Sequence, residues 1–321
     1  MSTPAISVVI PTYNRAVALH RCLSSLEAQT LSSDRYEVLV IDDDSTDGTA
    51  EMLAAHRGLR AFRQGRNAGP ASARNVGIRA AAGTHLLFLD DDVIAPPTLL
   101  ESHLQAHAAA GGEHVAILGD APWPAGQELT PVMRAVFDAR VHNQTSYDTI
   151  VDSDDVSYRY FWTCHVSLRR SFLLAHGLFD EQFRWAYGED TELAYRLIRH
   201  GLRILFRREI AGTHDPLPSY TSARRRQRIA GEVACLMARK HPELVDLRFV
   251  HLSPKSRAMN WMKRRVVETA IDPLLDLADR RRWELPLLTR AYRWVLDEHQ
   301  LWGLLDALAA TGDAPIMPVV T

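Results

Sequence analysis

The sequence contains few of the features that mark secreted, disulfide-bonded or nucleic-acid-binding proteins. Its 321 residues include three cysteines, Cys22, Cys164 and Cys235, which are far apart and do not have the spacing of metal ligands. This small, odd number predicts a reducing compartment. The 37 basic and 39 acidic residues nearly cancel, so the chain has no large net charge that would attract nucleic acid.

Long apolar runs and glycine-rich phosphate-binding motifs are also missing. No run approaches the roughly 20 residues that a helix needs to cross a membrane. Residues 1–5 lack the charged start and the apolar stretch of a signal peptide, so we expect a cytoplasmic protein. No G-x-G-x-x-G follows the first predicted strand and no P-loop sequence occurs, which argues against a dinucleotide-binding fold and a P-loop ATPase.

The composition is otherwise ordinary, with 46% hydrophobic and 24% charged residues, which is typical of a folded protein. Short apolar runs at residues 6–10, 36–41 and 85–89 alternate with segments of helical periodicity. This alternation predicts an α/β fold with a mostly parallel sheet and helices on both faces. Ligands of such sheets bind at the carboxyl ends of the strands, so the polar loops after these three strands should share one edge.

The most informative stretch is residues 85–93, where an apolar run continues directly into Asp90, Asp91 and Asp92. The run suits a central strand covered on both faces, and Asp90 and Asp92 can point the same way while Asp91 points opposite. Two such carboxylates repel unless a cation lies between them. Oxygen ligands at this spacing suit Mg²⁺ or Mn²⁺ together with a substrate diphosphate. The alternative is a solvated acidic turn before the next helix.

Two further polar stretches precede predicted helices. Asn67 lies in a flexible turn before a helix with Arg74 near its start, an arrangement that favours anions, although Arg74 could equally be an exposed helical arginine. Glu189 and Asp190 fall in the first turn of a helix predicted to run to residue 200, where carboxylates are favoured by the helix dipole.

Between these stretches the pattern is looser. Residues 121–160 are rich in proline, aspartate, serine and tyrosine and contain one predicted helix, 131–140; a loop of this length is often a binding loop or lid. Residues 161–168 predict a strand, and residues 203–206 predict another.

The last hundred residues are helical in pattern and rich in arginine. Six basic residues against one acid between residues 221 and 240 could guide an anionic substrate or contact an anionic membrane, or could be a solvated helix face. Tryptophans and leucines further on suggest a small helical domain or a subunit contact. We therefore predict two domains, an α/β one over residues 1–215 and a helical one over 216–321.

Taken together, these stretches resemble the family 2 glycosyltransferases of GT-A fold, an inverting group that uses nucleotide-diphosphate sugars. The matching segments occur in the family's order and are residues 8–15, 40–47, 67–77, 87–92 and 179–190. Each segment alone is a weak signal, but five in order are specific. Processive relatives have a Gln-x-x-Arg-Trp motif after the second acidic pair, and residues 194–201 lack it, so a non-processive enzyme is the better interpretation.

The resemblance implies that residues 1–215 form the nucleotide-sugar-binding and catalytic domain, and it also implies how the donor is held. It assigns nucleotide-sugar binding to nine residues: Pro11, Thr12, Asn14, Arg15, Asp43, Asn67, Arg74, Asp90 and Asp91. It also implies that Asp92 binds Mn²⁺ or Mg²⁺ directly, that Asp90 contacts the ribose or the metal, and that His214 completes the metal shell, a role that neutral imidazole can fill.

The resemblance further implies a reaction. Asp190, with Glu189 beside it, resembles the catalytic base, and Trp185 and Tyr187 are candidates for acceptor contacts because aromatic side chains beside carboxylates are typical of sugar sites. We expect inverting transfer from a nucleotide-diphosphate sugar, preferably a UDP-sugar, to a glycan or glycolipid hydroxyl in cell-surface polysaccharide synthesis. The alternatives are a non-catalytic nucleotide-sugar or glycan-binding scaffold and a sugar nucleotidyltransferase.

Overall fold

A computed structural model describes residues 3–138, 147–215, 218–244 and 254–310. The chain divides into two compact units. The first unit consists of Met1–Gly126 and Gln144–Pro216, and the second consists of Gln127–Asn143 and Leu217–Thr321. The segment Gln127–Asn143 therefore belongs with a part of the chain that is distant in sequence.

The first unit is built on a seven-stranded sheet and a two-stranded ribbon. Its strands are β1 (Ile6–Thr12), β2 (Tyr36–Asp42), β3 (Leu59–Arg63), β4 (His85–Leu89), β5 (Val93–Ile94), β6 (Val115–Asp120), β7 (His165–Arg169), β8 (Arg203–Ala211) and β9 (Thr213–His214). The strand order in the sheet is β3-β2-β1-β4-β7-β6-β8, and β5 pairs with β9 in the ribbon.

The sheet is mostly parallel, as the alternation of strands and helices predicted. β1 pairs in parallel with β2 and β4, β2 with β3, and β6 with β8. β7 is the exception, because it runs antiparallel to both β4 and β6. The carboxyl ends of β1, β2 and β4 meet at one edge, which is where the polar loops were expected.

Helices cover both faces of this sheet. They are α1 (Ala16–Glu27), α2 (Thr49–Ala55), α3 (Pro70–Ala80), α4 (Leu99–Ala110), α6 (Arg170–His176) and α7 (Glu189–Ile198). β4 shows why its apolar run does not alternate with polar residues: Leu86 and Phe88 belong to one buried cluster and Leu87 and Leu89 to the other. α3 lies close to the sheet because a side chain at Gly77 would meet Val9 at 2.4 Å.

Three predicted elements differ from those observed. Residues 161–168 do not form one strand, because Phe161 and Trp162 donate backbone hydrogen bonds into the turn at Tyr158–Tyr160 and β7 begins only at His165. β8 extends to Ala211 rather than to residue 206, and α7 ends at Ile198 rather than at residue 200. Residues 139 and 140 of the helix predicted over 131–140 lie outside the described residues.

The second unit is helical, as predicted for the C-terminal region. Its helices are α5 (Pro131–Asp138), α8 (Tyr220–Lys240), α9 (Pro254–Val266), α10 (Asp272–Arg280) and α11 (Pro286–Ala310), and a π-helical turn, Val267–Ile271, joins α9 to α10. α8 and α11 pack closely, because a side chain at Gly231 would meet the Gln300 carbonyl at 2.0 Å and one at Gly303 would meet the Arg228 carbonyl at 1.9 Å. Among the described helices of both units, none is both long enough and apolar enough to cross a membrane.

Candidate active site

The acidic end of β4 and the β5–β9 ribbon bring three potential metal ligands together. β5 follows the three aspartates and pairs antiparallel with β9, so that Val93 lies opposite His214. Ligand atoms of Asp90, Asp92 and His214 consequently all lie within 4.8 Å of one another. Asp92 and His214 are buried and Asp90 is half-buried. The ribbon is therefore the element that places the histidine beside the aspartates.

Asp92 lies between a histidine and an arginine. His214 Nε2 is 3.2 Å from Asp92 Oδ1, and the Arg15 guanidinium contacts Asp92 Oδ2. Burial raises the pKa of Asp92, but the hydrogen bond and charge of His214 and the charge of Arg15 outweigh it and leave the pKa lowered. Burial lowers the pKa of His214, and the pairing with Asp92 outweighs burial, so that pKa is raised. Both shifts favour an ionised carboxylate at this position.

Asp91 shares Arg15 with Asp92 but also accepts a hydrogen bond from β1. Thr12 Oγ1 donates to Asp91 Oδ2 at 2.7 Å, and Arg15 Nε lies 3.1 Å from Asp91 Oδ1. Burial raises the pKa of Asp91 to about 7, although the charge of Arg15 opposes this. Asp91 therefore ties the acidic end of β4 to the end of β1.

The donor set of Asp90, Asp92 and His214 fits a hard divalent cation. Carboxylate oxygens suit Mg²⁺ and Mn²⁺, and an imidazole nitrogen is compatible with Mn²⁺. His214 Nδ1 is also buried and has no hydrogen-bond partner within the described ranges. A buried nitrogen without a partner is costly, so a bound ion or water that reorganises this cluster would relieve an existing cost.

Arg74 connects the acidic end of β4 to the start of α7. Its guanidinium is buried in α3 and donates from one terminal nitrogen to Asp90 Oδ1 at 3.1 Å and from the other to Glu189 Oε1 at 2.8 Å. Burial raises the pKa of Glu189 to about 7, and the charge of Asp190 adds to the effect while Arg74 opposes it. The structure thus places Arg74 between two carboxylates instead of on an exposed helix face.

Asp190 begins α7 next to Glu189. Its Oδ1 accepts hydrogen bonds from the Thr191 backbone N–H at 2.7 Å and from Thr191 Oγ1 at 3.3 Å, and the side chain is half-buried. The aromatic residues before the helix are more accessible: Trp185 is 41% exposed, and Tyr187 is half-buried. Asp190 and the two aromatic residues before α7 are therefore at least partly accessible to solvent.

The residues at the ends of β1 and β2 that were expected to bind the nucleotide sugar make hydrogen bonds that hold the neighbouring loops. Pro11 and Thr12 are the last residues of β1, and Asn14, which has a positive φ of 53°, accepts a hydrogen bond on Oδ1 from the Thr46 backbone N–H at 2.7 Å. Arg15, which begins the turn into α1, is substantially exposed. The residues at the end of β1 therefore lie beside both the acidic motif and the loop after β2.

Asp43 is buried and has three donors. It accepts hydrogen bonds from the backbone N–H groups of Ala68 and Gly69, both at 2.8 Å, and from Gln64 Nε2 at 2.7 Å. Gln64 and Ala68 also line a cavity of about 420 Å³ at the end of β3. Asn67 is exposed in the same turn. Asp43 therefore fixes the turn that leads into α3.

Two residues that the sequence analysis did not single out support this arrangement. Asn75, next to Arg74, donates to the Phe179 carbonyl at 3.0 Å and to Glu181 Oε1 at 2.9 Å, and accepts from the Phe179 N–H at 3.0 Å. An asparagine on the buried face of a predicted helix is a signal that could have identified it. Gln64, the side-chain partner of Asp43, follows an edge strand with no comparable signal.

The fold is that of the GT-A glycosyltransferases, as solved structures with similar folds show. One is the mannosyltransferase PcManGT from Pyrobaculum calidifontis in complex with GDP-Man and Mn²⁺, which superposes with a TM-score of 0.58 at 19% sequence identity. The superposition covers 96% of this chain and 88% of the PcManGT chain. TarS residues 1–349 from S. aureus, in complex with UDP-GlcNAc, superposes with a TM-score of 0.52 at 18% identity, covering 98% and 94%.

The sequence is similar to one family in particular. The model for glycosyl transferase family 2 matches residues 7–166. The validoxylamine A glucosyltransferase of Streptomyces hygroscopicus subsp. jinggangensis is 33% identical over 283 residues, and the match covers 75% of this chain and 62% of that protein. The chain thus belongs to glycosyl transferase family 2, and it spans about three fifths of the length of the validoxylamine A glucosyltransferases.

Proposed function

We propose that the protein is a metal-dependent, inverting, non-processive glycosyltransferase that moves a sugar from a nucleotide diphosphate to an acceptor hydroxyl. The observation that carries this proposal is the Asp90–Asp92–His214 cluster, which Arg74 connects to the acidic start of α7. One buried side chain thus contacts a candidate ligand of the cation, Asp90, and the residue next to the candidate base, Glu189. Family membership supports the same class of reaction.

The donor diphosphate would lie at the ends of β1 and β4. Asp92 and His214 would hold Mn²⁺ or Mg²⁺ directly, with Asp90 contacting the metal or the ribose. When bound, the cation supplies Lewis-acid stabilisation of the charge on the leaving diphosphate. Arg15, which already contacts Asp91 and Asp92, is a second cation at this edge.

Asp190 would accept the acceptor's proton. The acceptor oxygen forms a bond to the anomeric carbon from the face opposite the diphosphate, the bond to the diphosphate oxygen breaks, and the proton passes to Asp190. A carboxylate is a weak base toward an alcohol, so Asp190 orients the hydroxyl first and takes the proton late, as bond formation makes it acidic. Glu189, held by Arg74, supports the position of Asp190 in this scheme.

For the donor we propose a UDP-sugar, with Asp43 and its turn at the base and Pro11, Thr12, Asn14, Asn67, Arg74 and Asp91 lining or shaping the pocket. Among the structural neighbours, TarS was solved with UDP-GlcNAc and PcManGT with GDP-Man. Proteins of this fold therefore include one solved with a uracil donor and one solved with a guanine donor. Because this chain is similar to a validoxylamine A glucosyltransferase, UDP-glucose is the first donor to test.

For the acceptor we propose a glycan or glycolipid of cell-surface polysaccharide synthesis, contacted by Trp185 and Tyr187. A 100-residue segment is 38% identical to the Staphylococcus aureus poly(ribitol-phosphate) β-N-acetylglucosaminyltransferase TarP, whose name gives a poly(ribitol-phosphate) as the acceptor. The match to a validoxylamine A glucosyltransferase favours including hydroxylated small molecules in an acceptor panel. A cytoplasmic location, with contact to the inner face of the membrane, completes the proposal.

The test is the Asp190→Asn variant, assayed for UDP release from UDP-glucose with a panel of acceptors and Mn²⁺. Removal of a general base should lower the rate by roughly 10²–10⁴-fold while leaving UDP affinity nearly unchanged. Asp152→Asn, the same change at an exposed carboxylate of the first unit, is the matched control and should retain the original rate. Near-full transfer by Asp190→Asn would contradict the assignment of the base.

A further inference from the structure

The second unit has a long helical surface whose exposed side is apolar and free of carboxylates. α9, the π-helical turn and α10 follow one another without a break from Pro254 to Arg280. Large apolar side chains on this segment are between 43% and 64% exposed, although the same helices contribute Val267 and Leu275 to a buried core. We call the exposed side that carries five of them the apolar stripe, and its members are Met259, Met262, Val266, Leu274 and Leu277; exposed Trp261 lies on a different side of α9.

The spacing of these residues makes the stripe continuous. Met259, Met262 and Val266 recur at intervals of three and four residues, and exposed Ala270 leads on to Leu274 and Leu277 at similar intervals. At about 1.5 Å per residue, a stripe of this length extends for roughly 30 Å along the helix axis. A surface of this kind on a protein is usually covered by a partner or a membrane.

All four acidic residues between 258 and 280 lie away from the stripe. Asp272 and Asp279 are buried, and Asp272 accepts hydrogen bonds from Tyr220 and Arg224. Glu268 is half-buried and pairs with Arg228 and Arg264. Asp276, the fourth, is also half-buried and accepts a hydrogen bond from Thr221. The exposed residues of this segment therefore include no carboxylate.

Basic residues, in contrast, accompany the stripe. Arg265 is exposed, and its guanidinium carbon lies 6.0 Å from the centre of the Trp261 ring. Arg280 and Arg281 are exposed at the end of α10, and Arg280 extends from the helix while it also contacts Asp276. Arginines beside exposed tryptophan, methionine and leucine form the pattern of a helix that lies in the interface of an anionic bilayer.

We propose that the apolar stripe docks the protein on the surface of a membrane that contains anionic lipids. The apolar side chains enter the boundary between headgroups and acyl chains, and Arg265, Arg280 and Arg281 contact lipid phosphates. The charge pattern favours this partner over a second copy of the chain, because the exposed charged residues beside the stripe, Arg265, Arg280 and Arg281, are all basic and would repel their counterparts across a copy–copy interface. Of these, Arg280 also pairs with half-buried Asp276. Since no described helix can cross a membrane, the segment lies along the surface.

The test is sedimentation of the full chain with vesicles. Vesicles of phosphatidylcholine with about 30% phosphatidylglycerol are compared with pure phosphatidylcholine, at low and at high salt. The double variant Met262→Glu/Val266→Glu places two charges on the stripe. Its matched control, Val151→Glu/Leu174→Glu, adds the same charges at exposed apolar positions of the first unit. Circular dichroism and the thermal midpoint check that both variants are folded.

We expect the original chain and the control to bind the anionic vesicles, with binding weakened by salt, and the stripe variant to bind at least about tenfold more weakly. Arg265→Gln, which leaves the apolar residues unchanged, should weaken binding about fivefold. Failure of the original chain to bind anionic vesicles would overturn the proposal, as would equal binding by the stripe variant and the control. A dimer in sedimentation velocity that the stripe variant dissociates, without vesicle binding, would assign the stripe to a copy–copy interface instead.

Discussion

At the scale of single residues, Arg74 has the most demanding environment in the candidate site. It is 3% exposed, and its two terminal nitrogens contact carboxylates from different elements, Asp90 after β4 and Glu189 in α7. A buried cation of this kind does more to position its partners than to stabilise the fold, because its own desolvation offsets much of the attraction. We therefore regard Arg74 as a positioning residue.

Replacement of Arg74 tests this role. Arg74→Met leaves Glu189 buried without its cation, and we expect the free energy of unfolding to fall by about 3–5 kcal/mol in urea titrations. Arg74→Lys retains the charge but cannot reach both carboxylates, so it should lose less stability and should lower kcat more than it raises KM. If Arg74→Met were as stable as the original chain, the two contacts would contribute little.

Residue-level prediction from the sequence succeeded where the signal was local and stopped where it was not. The sequence separated Asp91 from Asp90 and Asp92, and in the structure only the latter two have ligand atoms near His214. The reason is not the predicted period of two, because β4 ends at Leu89 and residues 91–92 form a turn, and Asp91 shares Arg15 with Asp92. No periodicity in the sequence could indicate that Arg74 lies between Asp90 and Glu189, because that contact depends on how α3 and α7 pack. The roles of these residues in binding and catalysis stay predictions.

At the scale of elements, the turn before α3 contacts both Asp43, at the proposed nucleotide-binding end of β2, and the segment before α7. Gly69 has a φ of +92°, donates its N–H to Asp43, and approaches Arg184 so closely that a side chain at Gly69 would meet the Arg184 carbonyl at 2.1 Å. Only glycine adopts this backbone conformation and tolerates this contact without strain.

Gly69→Ala should therefore lower the free energy of unfolding by about 1–3 kcal/mol, and it should also weaken UDP binding because the turn can no longer hold Asp43 in the same way. Gly65→Ala is the matched control, because an added carbon there meets nothing within 4 Å. The measurements are denaturant unfolding and calorimetric titration with UDP. Equal effects of the two substitutions would contradict a special role for the Gly69 turn.

Elements were predictable to the extent that their patterns were self-contained. β4 was evident from an uninterrupted apolar run, and α3 was evident from the flexible turn at Asn67 that precedes a helical pattern. The antiparallel direction of β7 could not be predicted, because the sequence of a five-residue strand does not indicate whether it runs parallel or antiparallel to its neighbours, β4 and β6. The β5–β9 ribbon has two residues per strand, too few for any periodicity, although it places His214.

At the scale of the whole molecule, a buried histidine cluster makes stability depend on pH. His103 contacts His165 Nε2 at 2.9 Å and Ser167 Oγ at 2.8 Å, and His107 Nε2 contacts the same serine at 2.8 Å. Burial lowers the pKa of His107 to about 3 and that of His165 to about 4, and it holds the pKa of His103 well below its usual range. The fold thus contains these histidines in the neutral form.

The sign of the pH dependence follows from linkage. Below a pH of about 6.5 the unfolded chain protonates these histidines and the native state does not, so their contribution to stability is lost as the pH falls. Asp91 and Glu189, whose pKa values burial raises to about 7, act in the opposite direction because they bind protons in the native state first. Because the two effects oppose each other, the pH dependence of the unfolding free energy of the original chain alone does not test the histidines.

Comparing the unfolding free energy of the original chain with that of a single variant isolates the contribution of one histidine. His107→Gln keeps a donor for Ser167 and removes one titrating imidazole, so the original chain should lose about 1.4 kcal/mol per pH unit relative to the variant between pH 6 and pH 4. His20→Gln, at an exposed histidine, is the control and should show no such divergence. Parallel stability curves for the original chain and His107→Gln would contradict a neutral, buried His107.

The most direct test of the central claim is calorimetric titration with UDP, GDP and dTDP, each with and without Mn²⁺, for the original chain, Asp92→Asn and the control Asp152→Asn. The account predicts that one nucleotide, preferentially UDP, binds only with Mn²⁺, that Asp152→Asn retains this binding, and that Asp92→Asn weakens it by more than about tenfold. Absence of binding by all three nucleotides in the presence of Mn²⁺, or binding that Asp92→Asn leaves unchanged, would contradict a metal-dependent donor site at the end of β4.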